Sequence, residues 1–292
     1  MEKPSKKFDP VSIINYTLLI ILVILCVYPF YYVIIYSFSN PDLAYKAVLY
    51  PRGFSVETYQ SIFRLNNIQN AFFVSVSRMV AGTAATILAT SFLAYLVTKE
   101  VMFGRKVLYR IVVISMYLNA GLIPWYLTMR AYGLKDNFLL YILPSAVSAY
   151  YLILIKTYME SLPQSLEEAA RIDGAGYIKC FFRIIFPLCK PIIATIAVYA
   201  AVAQWNTWMD NYFLVNKESL QTLQMILFNY VNQTQSMATS TVQSLNSAQM
   251  VKITTMTLKM CITVIVTVPI ICVYPFLQRY FVKGIMMGAV KG

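Results

Sequence analysis

Six long apolar segments alternate with polar segments along this chain. They run approximately over Ile13 to Tyr36, Phe72 to Val97, Val107 to Leu127, Phe138 to Ile155, Pro191 to Trp208 and Cys261 to Leu277. An α-helix needs roughly 20 apolar residues to cross about 30 Å of hydrocarbon, and each segment is close to that length. Because the segments are continuously apolar rather than alternating, they favour helices over a β-barrel. The pattern predicts an all-α integral membrane protein with six transmembrane helices.

The composition agrees with this prediction. Of 292 residues, 59% are hydrophobic and only 12% are charged, which is far from the average of soluble domains. The first apolar segment is too long for a signal-peptide core and lacks a small-residue cleavage site, so we expect it to be retained. We predict a single transmembrane domain over residues 1–292, with a cytoplasmic loop at about 160–190 and a long outer loop at about 215–252.

The distribution of Lys and Arg predicts the orientation. If the N-terminus is cytoplasmic, 15 of the 24 cations fall on the cytoplasmic side. They are Lys3, Lys6, Lys7, Lys99, Arg105, Lys106, Arg110, Lys156, Arg171, Lys179, Arg183, Lys190, Arg279, Lys283 and Lys291. The positive-inside rule therefore places both termini and the 160–190 loop in the cytoplasm. A net charge of +12 also raises the possibility of a nucleic-acid partner. However, the cations are scattered between apolar segments, which indicates anionic lipid instead.

The cytoplasmic loop carries signals for two short helices. Ser165 and Glu168 have the spacing of a capping box, and Gly174 is suited to end the helix that follows. A second amphipathic helix is predicted from Tyr177 to Ile185, ending at Pro187. The small residues of the first helix predict a face that another protein can approach closely. The alternative is an interfacial helix on anionic lipid, held by nearby cations.

The same loop resembles the EAA loop of the membrane subunits of binding-protein-dependent ABC importers. Six of the seven fixed positions of that motif match, and Phe186 stands where Leu is usual. The matching positions are Glu168, Ala169, Ala170, Gly174, Ile184 and Pro187. The resemblance implies that these residues, together with Asp173, couple the chain to an ATPase subunit. In the resembled family this loop docks in a cleft of the ATPase and moves with it.

Further segments are similar to the carbohydrate-uptake branch of the same class, the maltose-type permeases that carry oligosaccharides. They are residues 134–138 (LKDNF), 204–208 (QWNTW), 274–284 (YPFLQRYFVKG) and 288–292 (GAVKG). This resemblance implies a type I ABC importer permease fold in a bacterial cell membrane. It also implies a second homologous permease subunit, two ATPase subunits, an extracytoplasmic solute-binding protein and an oligosaccharide substrate.

No catalytic or nucleotide-binding motif accompanies these segments. The chain contains no G-x-x-x-x-G-K-[ST] sequence to hold nucleotide phosphates and no His to act as a general base. Without His, a Cys/His zinc site is also excluded, and none of the five cysteines falls in a predicted outer loop. We therefore expect a non-catalytic subunit that binds no cofactor or metal, with ATP and Mg²⁺ used by the separate ATPase subunits.

A saccharide path needs aromatic rings together with polar groups, and the end of the fifth apolar segment supplies both. The candidate path residues are Gln204, Trp205, Asn206, Trp208, Asp210 and, in the second segment, Arg78. Polar residues within the membrane usually face a protein interior or a cavity. The alternatives are an aromatic belt at the membrane interface and, for Arg78, a side chain that reaches the outer interface.

Two other functions remain open from the sequence. One is an ABC permease for a non-sugar solute such as amino acids, phosphate or metal ions. The other is a passive channel or membrane scaffold without ATP coupling. The outer loop from Asn216 to about Lys252, with an amphipathic piece at Leu220 to Val231, and residues 38–70 are the surfaces expected to meet a binding protein.

Overall fold

The computed structural model describes residues 10–63, 66–240 and 256–272, and the regular elements in these residues are helices. The all-α prediction is therefore confirmed. The helices are α1 (Pro10–Ser37), α2 (Glu57–Phe63), α3 (Asn66–Thr98), α4 (Arg105–Tyr117), α5 (Leu122–Ala131), α6 (Ala149–Glu160), α7 (Ser165–Ile172), α8 (Tyr177–Leu188), α9 (Lys190–Asn206), α10 (Met209–Leu214), α11 (Leu223–Ser240) and α12 (Met256–Cys272). Short 3₁₀ turns form at Ala44–Lys46, Phe138–Tyr141 and Glu218–Leu220.

Two of the described helices, α1 and α3, are each long and apolar enough to cross a membrane. The consecutive helices α8 and α9 meet at an angle of 82° and pass the same test only as a pair. Six transmembrane helices therefore remain a prediction. The C-terminal motif residues 274–292, the end of the predicted sixth segment at Leu277 and residues 241–252 of the outer loop lie outside the described residues.

One compact unit contains the described residues up to 63 together with residues 229–240 and 256–267. Helix α1 is apolar on all sides and is exposed along most of its length within this chain. A helix of this kind is stable only when lipid or another protein covers it. At its C-terminal end, Tyr36 packs with Ala44 and Met260, and the Tyr59 hydroxyl donates a hydrogen bond to Ser37 Oγ at 2.8 Å.

The second unit contains residues 66–228 and 268–272. Helix α3 runs through it for 33 residues, or about 50 Å, and packs against α6 and α9. The core between these helices and α8 holds Tyr95, Leu152, Phe181 and Ile196, each with at most 1% of its surface exposed. A single long helix therefore connects the two ends of this unit.

The third and fourth predicted segments are not continuous helices. The third is divided into α4 and α5 by residues 118–121, where Asn119 Oδ1 accepts a hydrogen bond from the Gly121 amide at 2.9 Å. In the fourth, a 3₁₀ turn at Phe138–Tyr141 precedes a non-helical stretch, and α6 begins only at Ala149. Pro144 lies in that stretch and has no amide hydrogen to donate. The hydroxyls of Thr86 and Thr90 on α3 donate hydrogen bonds to the carbonyl oxygens of Ser145 and Ala146 in this stretch.

Candidate functional site

The first candidate site is the loop predicted to be cytoplasmic, where α7 forms at the predicted position. Helix α7 ends at Ile172 with Asp173 as its C-cap, and Gly174 adopts a left-handed conformation with φ of +77°. The Ala175 amide then donates to the Ala170 carbonyl at 2.9 Å, which closes the turn. Gly174 is thus the helix stop that the sequence predicts.

The predicted capping box does not form. Ser165 is the first residue of α7 rather than its N-cap, and Gln164 occupies the cap position in a helical conformation without a side-chain hydrogen bond. Pro163 and Gln164 accept the first turn's amide hydrogens through their backbone carbonyls instead. The Glu168 amide donates to the Gln164 carbonyl at 3.1 Å, and the Glu168 residue is exposed.

The two faces of α7 differ. Glu168, Ala169 and Asp173 are exposed, whereas Ala170 is only 8% exposed and lies against this chain. We expected both alanines to form one small exposed face, but only Ala169 is exposed. Ile172 is 86% exposed, and sequence reasoning missed this apolar side chain. The signal available in the sequence was an apolar residue between the charged Arg171 and Asp173 in the motif helix.

Helix α8 begins at Tyr177 and continues to Leu188 rather than ending at Pro187. Its middle turn, Phe181–Ile185, has π-helical hydrogen bonding. Ile184 and Pro187 are half-buried, and Ile184 packs against the core that α3 and α6 share. The structure therefore places these two motif residues inward, while Glu168, Ala169 and Gly174 lie at the surface.

Glu167, the neighbour of the predicted Glu168, is the residue that holds α7 to the rest of the unit. Its carboxylate accepts hydrogen bonds from Tyr95 Oη at 3.0 Å, from Lys99 Nζ and from Arg171 Nη2 at 3.0 Å. Burial by itself raises the pKa of Glu167, but the hydrogen bond and charge of Lys99, with help from Tyr95 and Arg171, lower it below the ordinary value. The carboxylate is therefore charged at neutral pH.

The second candidate site is a cavity of about 380 Å³ between α3, α9 and the 138–148 stretch. Arg78, Tyr141, Ser145, Gln204 and Asp210 supply its polar lining, and Trp125 and Tyr151 supply aromatic rings. Rings beside hydroxyl, amide and charged groups are the combination expected for a saccharide path. The structure brings together Arg78, Gln204 and Asp210 of the predicted path residues.

Arg78 is buried, with 3% of its surface exposed, so the alternative of a side chain reaching the outer interface is wrong. Its guanidinium donates to both carboxylate oxygens of Asp210, at 3.1 and 2.6 Å, and to Gln204 Oε1 at 3.0 Å. It also lies over the Tyr141 ring, 4.5 Å from the centroid. Nη1 also donates to the Thr207 carbonyl at 3.0 Å, so four of the five guanidinium N–H groups are used.

Three further groups hold this cluster, and the candidate path residues given above do not include them. Ser145 Oγ accepts a hydrogen bond from Gln204 Nε2 at 2.6 Å. Tyr141 Oη donates to the Leu220 carbonyl at 2.7 Å and accepts from Asn211 Nδ2. Asn211 adjoins the predicted Asp210, which was a usable signal. Tyr141 and Ser145 lie in a segment assumed to be a continuous helix, and that assumption concealed them.

The remaining predicted path residues lie away from the cavity. Trp205 is buried and packs edge-on against Phe72 at a centroid distance of 6.5 Å. Asn206 is exposed, and its side-chain oxygen accepts from Gln224 Nε2 at 3.0 Å. Trp208 stacks on Phe228, with centroids 3.9 Å apart. These three residues occupy the C-terminal end of α9 and its junction with α10.

Comparisons with known proteins agree with one another. The family model described as "Binding-protein-dependent transport system inner membrane component" matches residues 82–287. The polygalacturonan/rhamnogalacturonan transport system permease protein YtcP of Bacillus subtilis is 35% identical, over 95% of this chain and 96% of the relative. Protein LplC of Bacillus subtilis is 36% identical over 90% and 89%. A solved bacterial ABC transporter that imports the acidic polysaccharide alginate has a chain with a TM-score of 0.83 and 28% identity, covering 96% of this chain and 100% of its own.

Proposed function

The chain belongs to the family of inner membrane components of binding-protein-dependent transport systems, as a sugar ABC transporter permease, and we propose that it couples saccharide import to ATP hydrolysis by partner subunits. With a second, homologous permease it forms an alternating-access path across a bacterial cell membrane, with both termini in the cytoplasm. An extracytoplasmic binding protein delivers the saccharide from outside. The chain itself is not an enzyme.

The geometry of α7 is the observation that carries the coupling proposal. A short helix presents Glu168, Ala169 and Ile172 on an exposed face and is closed by Gly174. A methyl side chain lets a partner approach the helix closely, the isoleucine supplies apolar contact, and the carboxylate fixes orientation. We assign the ATPase contact to these residues, with one ATPase on each of the two permeases.

The cavity around Arg78 supports a saccharide as the transported molecule. Its hydroxyl, amide and aromatic groups suit sugar hydroxyls and the apolar faces of sugar rings, and its volume lies in the range of ligand pockets. Because Asp210 neutralises Arg78, the cluster carries no net charge. The path residues that we assign to this chain are therefore Arg78, Gln204 and Asp210, with Tyr141 and Ser145.

We further assign the substrate to uronate-containing oligosaccharides. The alginate importer and the polygalacturonan/rhamnogalacturonan permease are both named for acidic polysaccharides. In this chain, a buried guanidinium already binds a carboxylate in the cavity wall. We propose that a uronate carboxylate binds Arg78 beside Asp210, through the guanidinium N–H that Asp210, Gln204 and Thr207 do not use.

The experiment is the ATPase activity of the complex that copurifies with this chain, reconstituted in lipid. The binding protein encoded with it is added either empty, loaded with oligogalacturonate, or loaded with a neutral maltooligosaccharide of equal length. We expect the oligogalacturonate-loaded protein to stimulate hydrolysis and the neutral one to have little effect.

Other outcomes separate the alternatives. Stimulation by the neutral saccharide alone would keep the sugar permease and overturn the acidic substrate. An ATPase that copurifies but responds to no saccharide would indicate a non-sugar solute. Failure of any ATPase to copurify would favour a passive channel or scaffold and would contradict the coupling role of α7.

A further inference from the structure

A charge cluster that the family motif does not include lies where the C-terminal end of α3 meets α7. The cluster consists of Tyr95, Lys99, Glu167 and Arg171, and it lines a groove of about 600 Å³ at the end of α3. Glu167 and Lys99 have only 13% and 15% of their side chains exposed. The motif residue Glu168 is adjacent in sequence but is exposed and lies on the other face of α7.

The cluster joins two helix ends whose dipoles favour it. Lys99 directly follows the last residue of α3, where the helix dipole stabilises a cation. Glu167 lies in the first turn of α7, where the dipole stabilises an anion. Lys99 Nζ also lies 4.2 Å from the centroid of the Tyr95 ring. The ion pair therefore fixes the start of α7 against the end of α3.

Few other contacts restrain α7. It has eight residues, begins after Pro163 and ends at the left-handed Gly174, so its covalent connections are turns on both sides. Ala170 is its one buried side chain. Helix α7 also contacts α8, where the Arg171 guanidinium lies 4.4 Å from the centroid of the Tyr177 ring. A force applied to the exposed face of α7 therefore reaches α3 through Glu167 and reaches α8 through Arg171.

Helix α3 extends this connection to the cavity. Tyr95 and Arg78 lie on the same uninterrupted helix, separated by 17 positions or about 26 Å. Arg78, which lies towards the middle of α3, binds Asp210 and Gln204. Because α3 contains no proline and no break, a displacement of its cytoplasmic end moves Arg78 as well.

From this arrangement we infer that Glu167 is a positioning residue that transmits the movement of α7 to α3 through Lys99 and Tyr95, and so to the Arg78 cavity. The inference rests on the proposed function, because it needs an ATPase to move α7. It assigns different roles to adjacent carboxylates: Glu168 meets the partner subunit, and Glu167 holds the permease.

The test uses the complete reconstituted complex and measures saccharide transported per ATP hydrolysed. Glu167→Gln keeps the volume and one acceptor but removes the charge. We expect copurification of the ATPase to persist and the transport-to-hydrolysis ratio to fall about tenfold. Lys99→Glu should lower the ratio similarly, and the exchanged pair Lys99→Glu with Glu167→Lys should restore much of it. A merely structural role would instead lower the amount of complex, and transport and hydrolysis together, and would leave the ratio unchanged.

Glu160→Gln is the matched control. Glu160 pairs with Lys156 at 2.6 Å, but both belong to α6, so their ion pair joins no two elements. The transport-to-hydrolysis ratio of Glu160→Gln should equal that of the parent complex. An unchanged ratio in Glu167→Gln, or loss of ATPase copurification in that variant, would overturn the inference. Absence of an ATPase from the parent complex would instead contradict the proposed function.

Discussion

Arg78 and Asp210 lie 132 residues apart in the chain and form two parallel hydrogen bonds, at 3.1 and 2.6 Å, in the wall of the cavity. One comes from the long helix α3 and the other from the short helix α10. The pair therefore fixes the junction after α9 to the middle of α3. Because both residues are buried, each charge is neutralised by the other rather than by water.

Asp210→Ala should destabilise the protein strongly. It leaves the Arg78 guanidinium buried without a counter-charge, which typically costs about 3–5 kcal/mol. Thermal unfolding of the purified protein in detergent measures the effect. Arg78→Met combined with Asp210→Leu should be much less harmful than Asp210→Ala alone, because no unpaired charge remains. A double variant that is no more stable than Asp210→Ala would contradict this account of the pair.

Gly82→Ala should disturb the same cluster by crowding. A Cβ at position 82 would come within 2.4 Å of Gln204 Nε2, so the Gln204 side chain must move away from Ser145 and Arg78. Overpacking of this kind costs about 1–3 kcal/mol, which a shift in unfolding temperature would detect. Ala84→Ser, at an exposed position two residues along α3, is the control and should unfold like the parent. Equal unfolding temperatures for both variants would count against the close approach.

Ala169→Asp and Ala170→Asp should fail in different ways. Ala169 is exposed, so a charge there leaves the fold intact and should abolish copurification of the ATPase. Ala170 is 8% exposed, so a charge there is buried within this chain and should reduce the amount of protein in the membrane. Immunoblots of membranes and of the purified complex distinguish the two results. Normal ATPase recovery with Ala169→Asp would show that this face of α7 is not the contact.

Gly174→Val should disrupt the turn after α7 and abolish transport. A β-branched residue is strained at φ of +77°, although nothing else lies within 4 Å of the site. Gly176→Val is the control, since Gly176 has φ of −69° and equally open surroundings. Uptake of labelled saccharide by cells should be near normal for Gly176→Val. Similar losses in both variants would mean that bulk, rather than backbone conformation, is responsible.

Asp136→Asn should lower thermal stability by an amount that is constant across neutral pH. The amides of Asn216 and Lys217 donate to the carboxylate, and these bonds lower the pKa of Asp136. Because the pKa is lowered in the folded protein, the charged carboxylate contributes its full stabilisation above the ordinary aspartate value of 3.8. This stabilisation is lost as pH falls below that value. Unfolding temperatures of the parent and variant at pH 5, 6.5 and 8 should therefore differ equally. A difference that grows across this range would contradict the assigned pKa direction.

Sequence reasoning located helix α7 well because its signals are local. Gly174 ends α7 for a reason that its own backbone explains, and Glu168 is exposed as a motif residue should be. It did not identify Glu167, whose role depends on Lys99 being 68 residues away in the chain yet in contact. It also left open whether Arg78 lines the path or reaches the outer interface, because an arginine inside a helix has no visible partner until Asp210 is brought to it.

The sequence by itself determined the helical class, the membrane character and the position of helix α7. These follow from runs of apolar residues and from short-range backbone preferences, which require no distant contact. The tertiary structure decided where the third and fourth apolar segments break and which polar residues share the cavity. A local bond from Gly121 to Asn119 accompanies the break in the third segment. The break in the fourth segment and the cavity depend on hydrogen bonds between α3 and segments more than 50 residues away, since a buried polar group is stable only where its partner lies.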